Sequence, residues 1–308
     1  MAIAAIRLRD LFAVVMLFGI YSFLTAGLFM DLDAVDVAFT EAAVGAGIIT
    51  MLMLATLRLT DRYERRPKHN PLLPLVVVGV TGAALVYGTL DAPLLGDPDA
   101  PVHMHVAPRY LEQGPVEVGI PNIVTAVLAS YRGYDTLGET LVIFTAGLAV
   151  ILLLGIREEP SAPQRCRVMG DQLVLRTIVK SLLPLILLFA LYVQFHGDYG
   201  AGGGFQAGII FAAGFILYDL VFGEDNARLV LSPRRLMKVA AFGILLYAGV
   251  GLIPMLLGAS FLDHSALSSE PVQGQHLGIM LVELGVGTSV FSVALTIYHA
   301  LSGRRPSP

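Results

Sequence analysis

The chain has 308 residues, of which 56% are hydrophobic and 14% are charged. A soluble domain carries about 25% charged residues, so this composition excludes a soluble globular protein and predicts an all-α, polytopic membrane protein. The formal net charge of −4 and the lack of a basic patch in the sequence argue against a nucleic-acid partner and leave membrane lipid as the expected surroundings.

Eight stretches are apolar and long enough to cross a bilayer, which requires about 20 residues per helix. They cover 11–30, 34–57, 72–90, 135–155, 173–193, 205–222, 236–258 and 277–300. No small-residue cleavage pattern follows the first stretch, so we expect a retained helix rather than a signal peptide. A charged, proline-containing linker at 157–171 divides the chain into domains 1–156 and 172–308. The prediction is therefore about eight transmembrane helices in two four-helix groups.

A ninth segment, 116–131, is short and interrupted by Pro121. If this segment does not cross, and both termini are cytoplasmic, every lysine and arginine except Arg109 and Arg132 falls on the cytoplasmic side. This distribution follows the positive-inside rule. We therefore predict an interfacial or re-entrant helix at 116–131. We also expect a multi-pass protein of the cell inner membrane, with both termini and the 157–171 linker in the cytoplasm.

Three carboxylates lie within predicted spans, where an ionised side chain costs about 2.5–3.5 kcal/mol on insertion scales and is a functional candidate. Glu41 is about seven residues, or about 10 Å, into the second span and is surrounded by alanine and glycine. Glu139 and Glu283 lie at similar depths. All three are candidates for relaying ions or protons, although Glu41 could instead only bond a neighbouring helix.

Further charges are more ambiguous. Asp135 shares a helix face with Glu139, four residues on, but it could also cap the helix. Lys180 either pairs with a carboxylate or extends back to the interface. Asp219 and His299 are near inner helix ends, where such residues are usually solvated.

A glycine-dense turn, HGDYGAGGGFQAG, begins at His196 and separates the fifth and sixth spans. It contains Asp198, Gly202, Gly203 and Gly204. One interpretation is a tight loop that needs positive φ. The other is a turn whose amides and side chains line part of an ion route or a subunit contact, since polar backbone between spans must be satisfied by water or protein. Asp36, near the outer end of the second span, is expected to be a cap or interface residue.

The sequence lacks the patterns of an enzyme that acts alone. It has no Ser-His-Asp arrangement, phosphate-binding glycine loop, or haem or iron–sulfur ligand set. The single cysteine, Cys166, excludes an internal disulfide and a multi-thiolate metal site. His103 and His105 supply two potential ligands without a third. We expect neither a metal nor a cofactor.

The second half resembles the B subunit of Mrp-type cation/proton antiporters over about 173–301. The resemblance rests on HGDYGAGGGFQAG and on Glu283 followed by Gly285 and Val286. Asp198 and Ala201 depart from the His and Pro of the family pattern. The first half resembles the C-terminal part of the large A-type polypeptide of these antiporters, and the D and E subunits of membrane-bound hydrogenases. Its motifs are DVAFTEAAVGAG at 36–47 and NIVTAVLASYRGYDTLGE at 122–139.

The resemblance implies a membrane subunit of a multi-subunit antiporter that transports Na⁺ and H⁺. Its carboxylates would contribute to translocation, and its partners would include large proton-channel-like subunits. A first alternative places the same fold in the membrane arm of a redox-driven complex. A second alternative is a structural scaffold whose buried charges only hold helices together.

Overall fold

The structure is a computed structural model that describes residues 1–65, 72–94, 96–155, 173–223, 226–227 and 230–302. Within these residues the regular secondary structure is helical, and the one β-type pairing is an isolated bridge between Asp10 and Tyr63. The predicted linker at 157–171 lies outside the described residues.

Eight helices are long and apolar enough to cross a membrane, which confirms the predicted all-α polytopic fold. They are α1 (Leu11–Asp31), α2 (Val35–Leu57), α3 (Leu72–Thr89), α4 (Gly133–Leu154), α5 (Leu173–His196), α6 (Gly204–Phe222), α7 (Pro233–Leu256) and α8 (Pro271–Ser302). A short helix, Ala2–Arg7, precedes α1.

The first two spans form an antiparallel hairpin that is fixed at one end by Asp10. The Asp10 carboxylate accepts a hydrogen bond from the backbone N–H of Phe12 at 3.1 Å and so caps α1. Arg62, just beyond α2, donates to the same carboxylate at 2.7 Å. The start of α1 is therefore held beside the end of α2.

Helix α2 changes its winding in the middle. Residues Ala42–Ile49 are π-helical, between α-helical residues Val35–Glu41 and Thr50–Leu57. The Thr50 hydroxyl donates to the carbonyl oxygen of Gly45, five residues back, at 3.2 Å. A π-helical stretch is rare and widens the turn by one residue. Here it begins directly after Glu41.

Helix α8 is the centre of the molecule and packs against α7, α6, α4 and α2. Glycines allow two of these contacts to be close. A Cβ on Gly208 of α6 would lie 2.6 Å from the carbonyl oxygen of Gly287, and a Cβ on Gly243 of α7 would lie 2.5 Å from that of Gly285. Because α2 and α4 belong to the first half and α6 to α8 to the second, the two predicted groups share one core.

Helix α3 is the exception, since it contains no buried residue. Its apolar side chains, such as Leu75 and Val78, are 65% and 69% exposed in this chain. An apolar helix of this kind requires lipid or another apolar surface around it. It contributes nothing to the core.

Between α3 and α4 the described residues form two runs of mixed α- and π-helical turns, 101–117 and 123–131. The structure has π-helical turns at Val102–Val106, Arg109–Gln113 and Ala126–Tyr131, and short α-helices at Gly114–Glu117 and Ile123–Thr125. Segment 116–131 is thus broken and too short to cross a bilayer. Its Ala126 and Ala129 are buried against protein. The choice between an interfacial and a re-entrant helix stays a prediction.

Candidate functional site

The glycine-dense turn between α5 and α6 folds back onto the end of α5. The backbone N–H of Gly203 donates to the carbonyl oxygen of Val193 at 3.0 Å, and that of Gly200 donates to His196 at 3.0 Å. Gly203 has a φ of +114°, a conformation that residues with a side chain rarely adopt. The tight-loop interpretation is therefore correct at Gly203.

Residues of the first half satisfy the carbonyl groups of this turn. The side-chain amide of Asn122 donates to the carbonyl oxygens of Gly197 at 3.0 Å and Gly200 at 2.9 Å. The hydroxyl of Thr125 also donates to Gly197, at 2.7 Å. Asn122 and Thr125 are 7% and 5% exposed, so these bonds are shielded from solvent. The turn is consequently part of the contact between the two halves.

A cavity of about 330 Å³ lies beside the turn, between α2, α4, α6, α8 and segment 123–129. Its walls are largely apolar. Its carboxylates are Asp36, Glu139 and Glu283, and its other polar side chains are Gln206, Thr40, Thr125, Thr136 and Thr140. This volume has room for several water molecules. The cavity thus combines carboxylate, hydroxyl and amide oxygens inside an apolar helix bundle.

Asp36 connects the cavity to the turn. One of its carboxylate oxygens accepts a hydrogen bond from the backbone N–H of Gly202 at 3.3 Å and a longer one from Asn122 at 3.4 Å. One helical turn further along α2, the Thr40 hydroxyl accepts from the side chain of Gln206 at 2.8 Å. The sequence predicted a cap or interface role for Asp36, and its contacts with the second half agree with the interface role. Sequence reasoning did not identify Thr40, Gln206 or Asn122 as site residues.

Glu283 occupies the space that the glycines leave free. A Cβ on Gly197 or Gly203 would lie 3.0 Å from a Glu283 carboxylate oxygen. A Cβ on Gly204 would clash with the Glu283 backbone carbonyl oxygen. Asp36 and Asp198 are close enough to Glu283 for their charges to interact with it. The Glu283 carboxylate therefore lies against the backbone of the turn.

Asp198 and His196 belong to the turn region but are not among the residues that line the cavity. The Asp198 carboxylate lies 3.5 Å from Nδ1 of His276 on α8. Partial burial raises the pKa of the Asp198 carboxyl, while the hydrogen bond and charge of His276 act in the opposite direction. The His196 ring stacks on Tyr192 with centroids 4.9 Å apart. We interpret His196 as a packing residue at the end of α5.

The remaining predicted site residues lie elsewhere. Glu41 is half-buried where α1 and α2 meet, and a Cβ on Gly45 would lie 2.7 Å from its carboxylate and 2.6 Å from the Ser22 hydroxyl. Asp135 forms an exposed ion pair with Arg132 at 2.6 Å. Lys180 is exposed and lines a separate cavity with Arg176 and Asn226. The structure therefore brings together Glu139 and Glu283, but not Glu41, Asp135 and Lys180.

The chemistry available at the cavity is proton exchange and weak binding of hard cations. Carboxylate, hydroxyl and amide oxygens are ligands for such ions, and closely spaced carboxylates favour a bound proton or cation because like charges repel. Among the described residues, no group of three or more His, Cys, Asp and Glu side chains is placed to hold a metal ion.

Three known families match consecutive parts of the chain. Residues 174–296 match a domain related to the MnhB subunit of Na⁺/H⁺ antiporter. Residues 1–62 match the D subunit of MBH, and residues 65–165 match its E subunit.

Individual relatives agree with this order. The chain is 28% identical to a probable K⁺/H⁺ antiporter A/B polypeptide of Rhizobium meliloti, over 94% of this chain and 32% of the relative. It therefore spans about a third of that protein. Its second half is 38% identical to a putative antiporter subunit mnhB2 of Staphylococcus haemolyticus, over 43% of this chain and 96% of the relative.

Two solved structures are similar along the chain. The Mrp complex from a Dietzia species superposes with a TM-score of 0.75 and 28% identity, covering 100% of this chain and 34% of the matched one. The membrane-bound sulfane sulfur reductase, an archaeal respiratory membrane complex, gives a TM-score of 0.54 and 29% identity, covering 73% of this chain and 96% of the matched one.

Proposed function

Since this chain belongs to the family of B subunits of Mrp-type cation/proton antiporters, extended at its N-terminal side by regions related to the D and E subunits of MBH, we propose that it is one membrane subunit of a multi-subunit antiporter. The complete exchanger would include large proton-channel-like subunits and would operate in the inner membrane. The names of the relatives point to Na⁺ or K⁺ as the ion exchanged for protons.

The observation that supports a direct role in transport is the cavity at the joint between the halves. Glu283 and Glu139 enter it from two helices, and Asp36 enters it from a third. Carboxylates inside an apolar bundle are costly and typically belong to ion or proton pathways. We propose that Glu283 and Glu139 bind and release protons or the exchanged cation in this cavity, and that Asp36 positions the turn beside them.

Glu41 has a different place in this proposal. It lies five residues beyond Asp36 on α2, about 7.5 Å further along the helix axis, and outside the cavity. It borders the π-helical stretch, a feature that is frequent at functional sites. We propose that Glu41 relays protons between the cavity and the surface formed by α1 and α2.

Glutamine substitutions in the assembled complex test these roles. Glu283→Gln, Glu139→Gln and Glu41→Gln keep the side-chain shape but cannot load and release a proton, so each should strongly reduce cation/proton exchange in everted membrane vesicles. Both Na⁺ and K⁺ are offered as substrates. The exposed Glu112 provides a matched control, and Glu112→Gln should exchange at the wild-type rate.

Two further results distinguish a proton relay from a structural scaffold. Glu41→Asp should retain part of the activity, because it keeps the titrating group and shortens only its reach. Wild-type exchange by all three glutamine variants in normally assembled complexes would favour the scaffold alternative, in which the buried carboxylates only bond neighbouring helices.

A redox-driven complex is the second candidate, because the D and E subunits of MBH match the first half and the sulfane sulfur reductase superposes on most of the chain. Purification of the tagged chain in mild detergent distinguishes the two. Co-purification of large antiporter-like subunits alone supports the antiporter, whereas co-purification of iron–sulfur subunits supports the redox-driven complex.

A further inference from the structure

A second pair of ionisable side chains lies at the other end of the α6–α8 interface. His299 of α8 and Asp219 of α6 approach each other with Nε2 and Oδ2 3.5 Å apart. Their side chains are 1% and 5% exposed. The expectation that both are solvated at helix ends is wrong, because α6 and α8 stay in contact to their last turns and enclose them.

The pair is not locked into a hydrogen-bonding network. In the part of the chain that the structure describes, Asp219 Oδ2, both ring nitrogens of His299 and the hydroxyl of Ser302 have no hydrogen-bond partner. Buried polar atoms in native proteins are nearly always bonded, and exceptions gathered at one place indicate an unseen proton, water or ion. A purely structural His–Asp contact would instead have a well-aligned hydrogen bond.

The position of this pair complements the cavity. Glu283 and His299 are both on α8 and are 16 residues apart, or about 24 Å along the helix axis. That separation is most of the roughly 30 Å of a bilayer's hydrocarbon core. Gly204 and Gly208 of α6 pack near Gly287, while Asp219 packs near His299, so α6 and α8 run parallel between the two levels.

Polar groups also lie on α8 between these levels. The hydroxyls of Thr288, Ser292 and Thr296 are spaced one turn apart, and each donates to the carbonyl oxygen four residues before it, at 2.7 to 2.8 Å. Ser292 and Thr296 are buried. Each hydroxyl oxygen retains acceptor capacity, and Thr296 lies one turn before His299.

Apart from the exposed residues 61–65 beyond α2, which include Asp61 and Glu64, the charged groups of the adjacent described helix ends are cationic. They are Arg58 after α2, Arg176 and Lys180 on α5, and Arg234, Arg235 and Lys238 on α7. The last two turns of α4 carry no ionisable residue. Tyr218 and Tyr298 are the neighbouring phenols on α6 and α8. Asp219 is thus the buried acid among the described residues of this region, and it is directly opposite an imidazole.

We propose that Asp219 and His299 together form a proton-binding site at the end of the α6–α8 interface remote from the glycine turn. With a neutral imidazole the pair carries a charge of −1. Uptake of one proton, on the imidazole nitrogen or the carboxylate oxygen, makes it neutral overall, and its release restores the charge without any other bond being made or broken. The role of the site in transport rests on the proposed antiporter function, but its protonation does not.

Infrared difference spectroscopy of the purified complex, between about pH 5 and about pH 8, measures this protonation directly, because imidazole titrates in that range. The carboxyl signal should be lost in Asp219→Asn and the imidazole signal in His299→Gln, and each substitution should shift the signal of the remaining partner. His103→Gln, in the exposed loop, is the control and should remove its own imidazole signal without affecting the carboxyl signal. Spectra of both site variants identical to wild type would overturn the proposal.

Two further measurements keep the site and the transport function separate. Asp219→Glu retains a titrating carboxyl at this position, so its carboxyl signal should be shifted from that of wild type even if Asp219→Asn assembles poorly. An assembled Asp219→Glu complex without a signal from that carboxyl would contradict the site. Vesicle exchange is measured in parallel with Glu283→Gln. If Asp219→Asn loses its carboxyl signal while Glu283→Gln exchanges ions at the wild-type rate, the site is supported and the transport proposal is rejected. If Asp219→Asn keeps the wild-type spectrum while Glu283→Gln loses exchange, the site alone is rejected.

Discussion

The side-chain amide of Asn122 lies 3.0 Å from the carbonyl oxygen of Gly197 and donates a hydrogen bond to it, although 75 residues separate the two in the chain. The same amide donates to Gly200. A residue of the first half therefore holds the glycine turn of the second half by hydrogen bonds. We call this contact between Asn122 and the turn the joint, and the polar cavity lies beside it.

Replacement of Asn122 by alanine should loosen the joint. It would leave the Gly200 carbonyl without its amide donor, and an unsatisfied buried polar group costs about 1–3 kcal/mol. We expect a lower melting temperature of the detergent-purified complex and a smaller yield of it. Asn226→Ala is the matched control, since Asn226 is exposed and, among the described residues, its side chain bonds to Phe222 of the preceding turn. Equal melting temperatures for wild type and Asn122→Ala would show that the joint does not depend on this amide.

Side chains larger than hydrogen at Gly204 should impair assembly. A Cβ there clashes with the backbone carbonyl of Glu283, which cannot rotate away as a side chain can. Gly204→Leu should therefore separate α6 from α8 and reduce both the assembled complex and its exchange activity. Gly249→Ala is the control within a helix, because among the described residues nothing beyond its own helix backbone and its chain neighbours lies within 4 Å of the added Cβ. Removing a mid-helix glycine should leave stability unchanged or raise it by about 0.5–1 kcal/mol. Normal assembly of Gly204→Leu would contradict the packing described for α6 and α8.

Acid should destabilise the segment between α7 and α8 through His264. This side chain is fully buried, and its Nε2 lies 3.0 Å from the carbonyl oxygen of Ala129. Burial lowers the pKa of His264, against the opposing effects of the Ala129 bond and the Asp263 charge. The unfolded chain therefore takes up a proton on His264 at a higher pH than the folded protein does. The stability contribution is complete above the ordinary histidine pKa of about 6.5 and is lost as the pH falls below it.

Thermal unfolding of the purified complex at about pH 8 and about pH 5.5 measures this loss. His264→Gln should reduce the difference between the two melting temperatures, because glutamine does not titrate, whereas His103→Gln at an exposed position should leave it unchanged. An undiminished pH dependence in His264→Gln would assign the effect to other groups.

The membrane orientation can be tested with the native cysteine. Cys166 is the only cysteine of the sequence and belongs to the predicted cytoplasmic linker at 157–171. A membrane-impermeant maleimide should label it in everted vesicles and not in intact cells, and Cys166→Ser should abolish that labelling of the chain. Labelling from outside would place the linker on the opposite side and reverse the expected orientation of the second half.

The number of spans was readable from the sequence because a bilayer fixes both the length and the polarity of what crosses it. The ends of helices that are set by contacts with other parts of the protein could not be predicted from the sequence. The predicted last span began at residue 277, but α8 begins at Pro271. Residues 271–276 are too polar to be identified as a span, yet Gly274 packs against the backbone of His264 and His276 faces Asp198. The helix therefore begins where Gly274 packs against the chain between α7 and α8.

The composition of the site was only partly predictable. Glu139, Glu283 and the glycine turn stood out because charge and flexible backbone are unusual between apolar spans. Asp36, Thr40 and Gln206 acquire their role from contacts across 166 residues, which no local pattern reports. The spans are also apolar on all sides, so their sequences do not indicate which face meets protein and which meets lipid. Asp219 and His299 were misjudged for the same reason.

The joint between Asn122 and Gly197 has a consequence for stoichiometry. In the staphylococcal relative, the segment corresponding to the second half is a chain of its own, whereas here both sides of the joint are on one polypeptide. A covalent link replaces an association between separate molecules by a unimolecular docking step. The two halves are thereby present in equal numbers in every complex, and dilution in the bilayer cannot separate them.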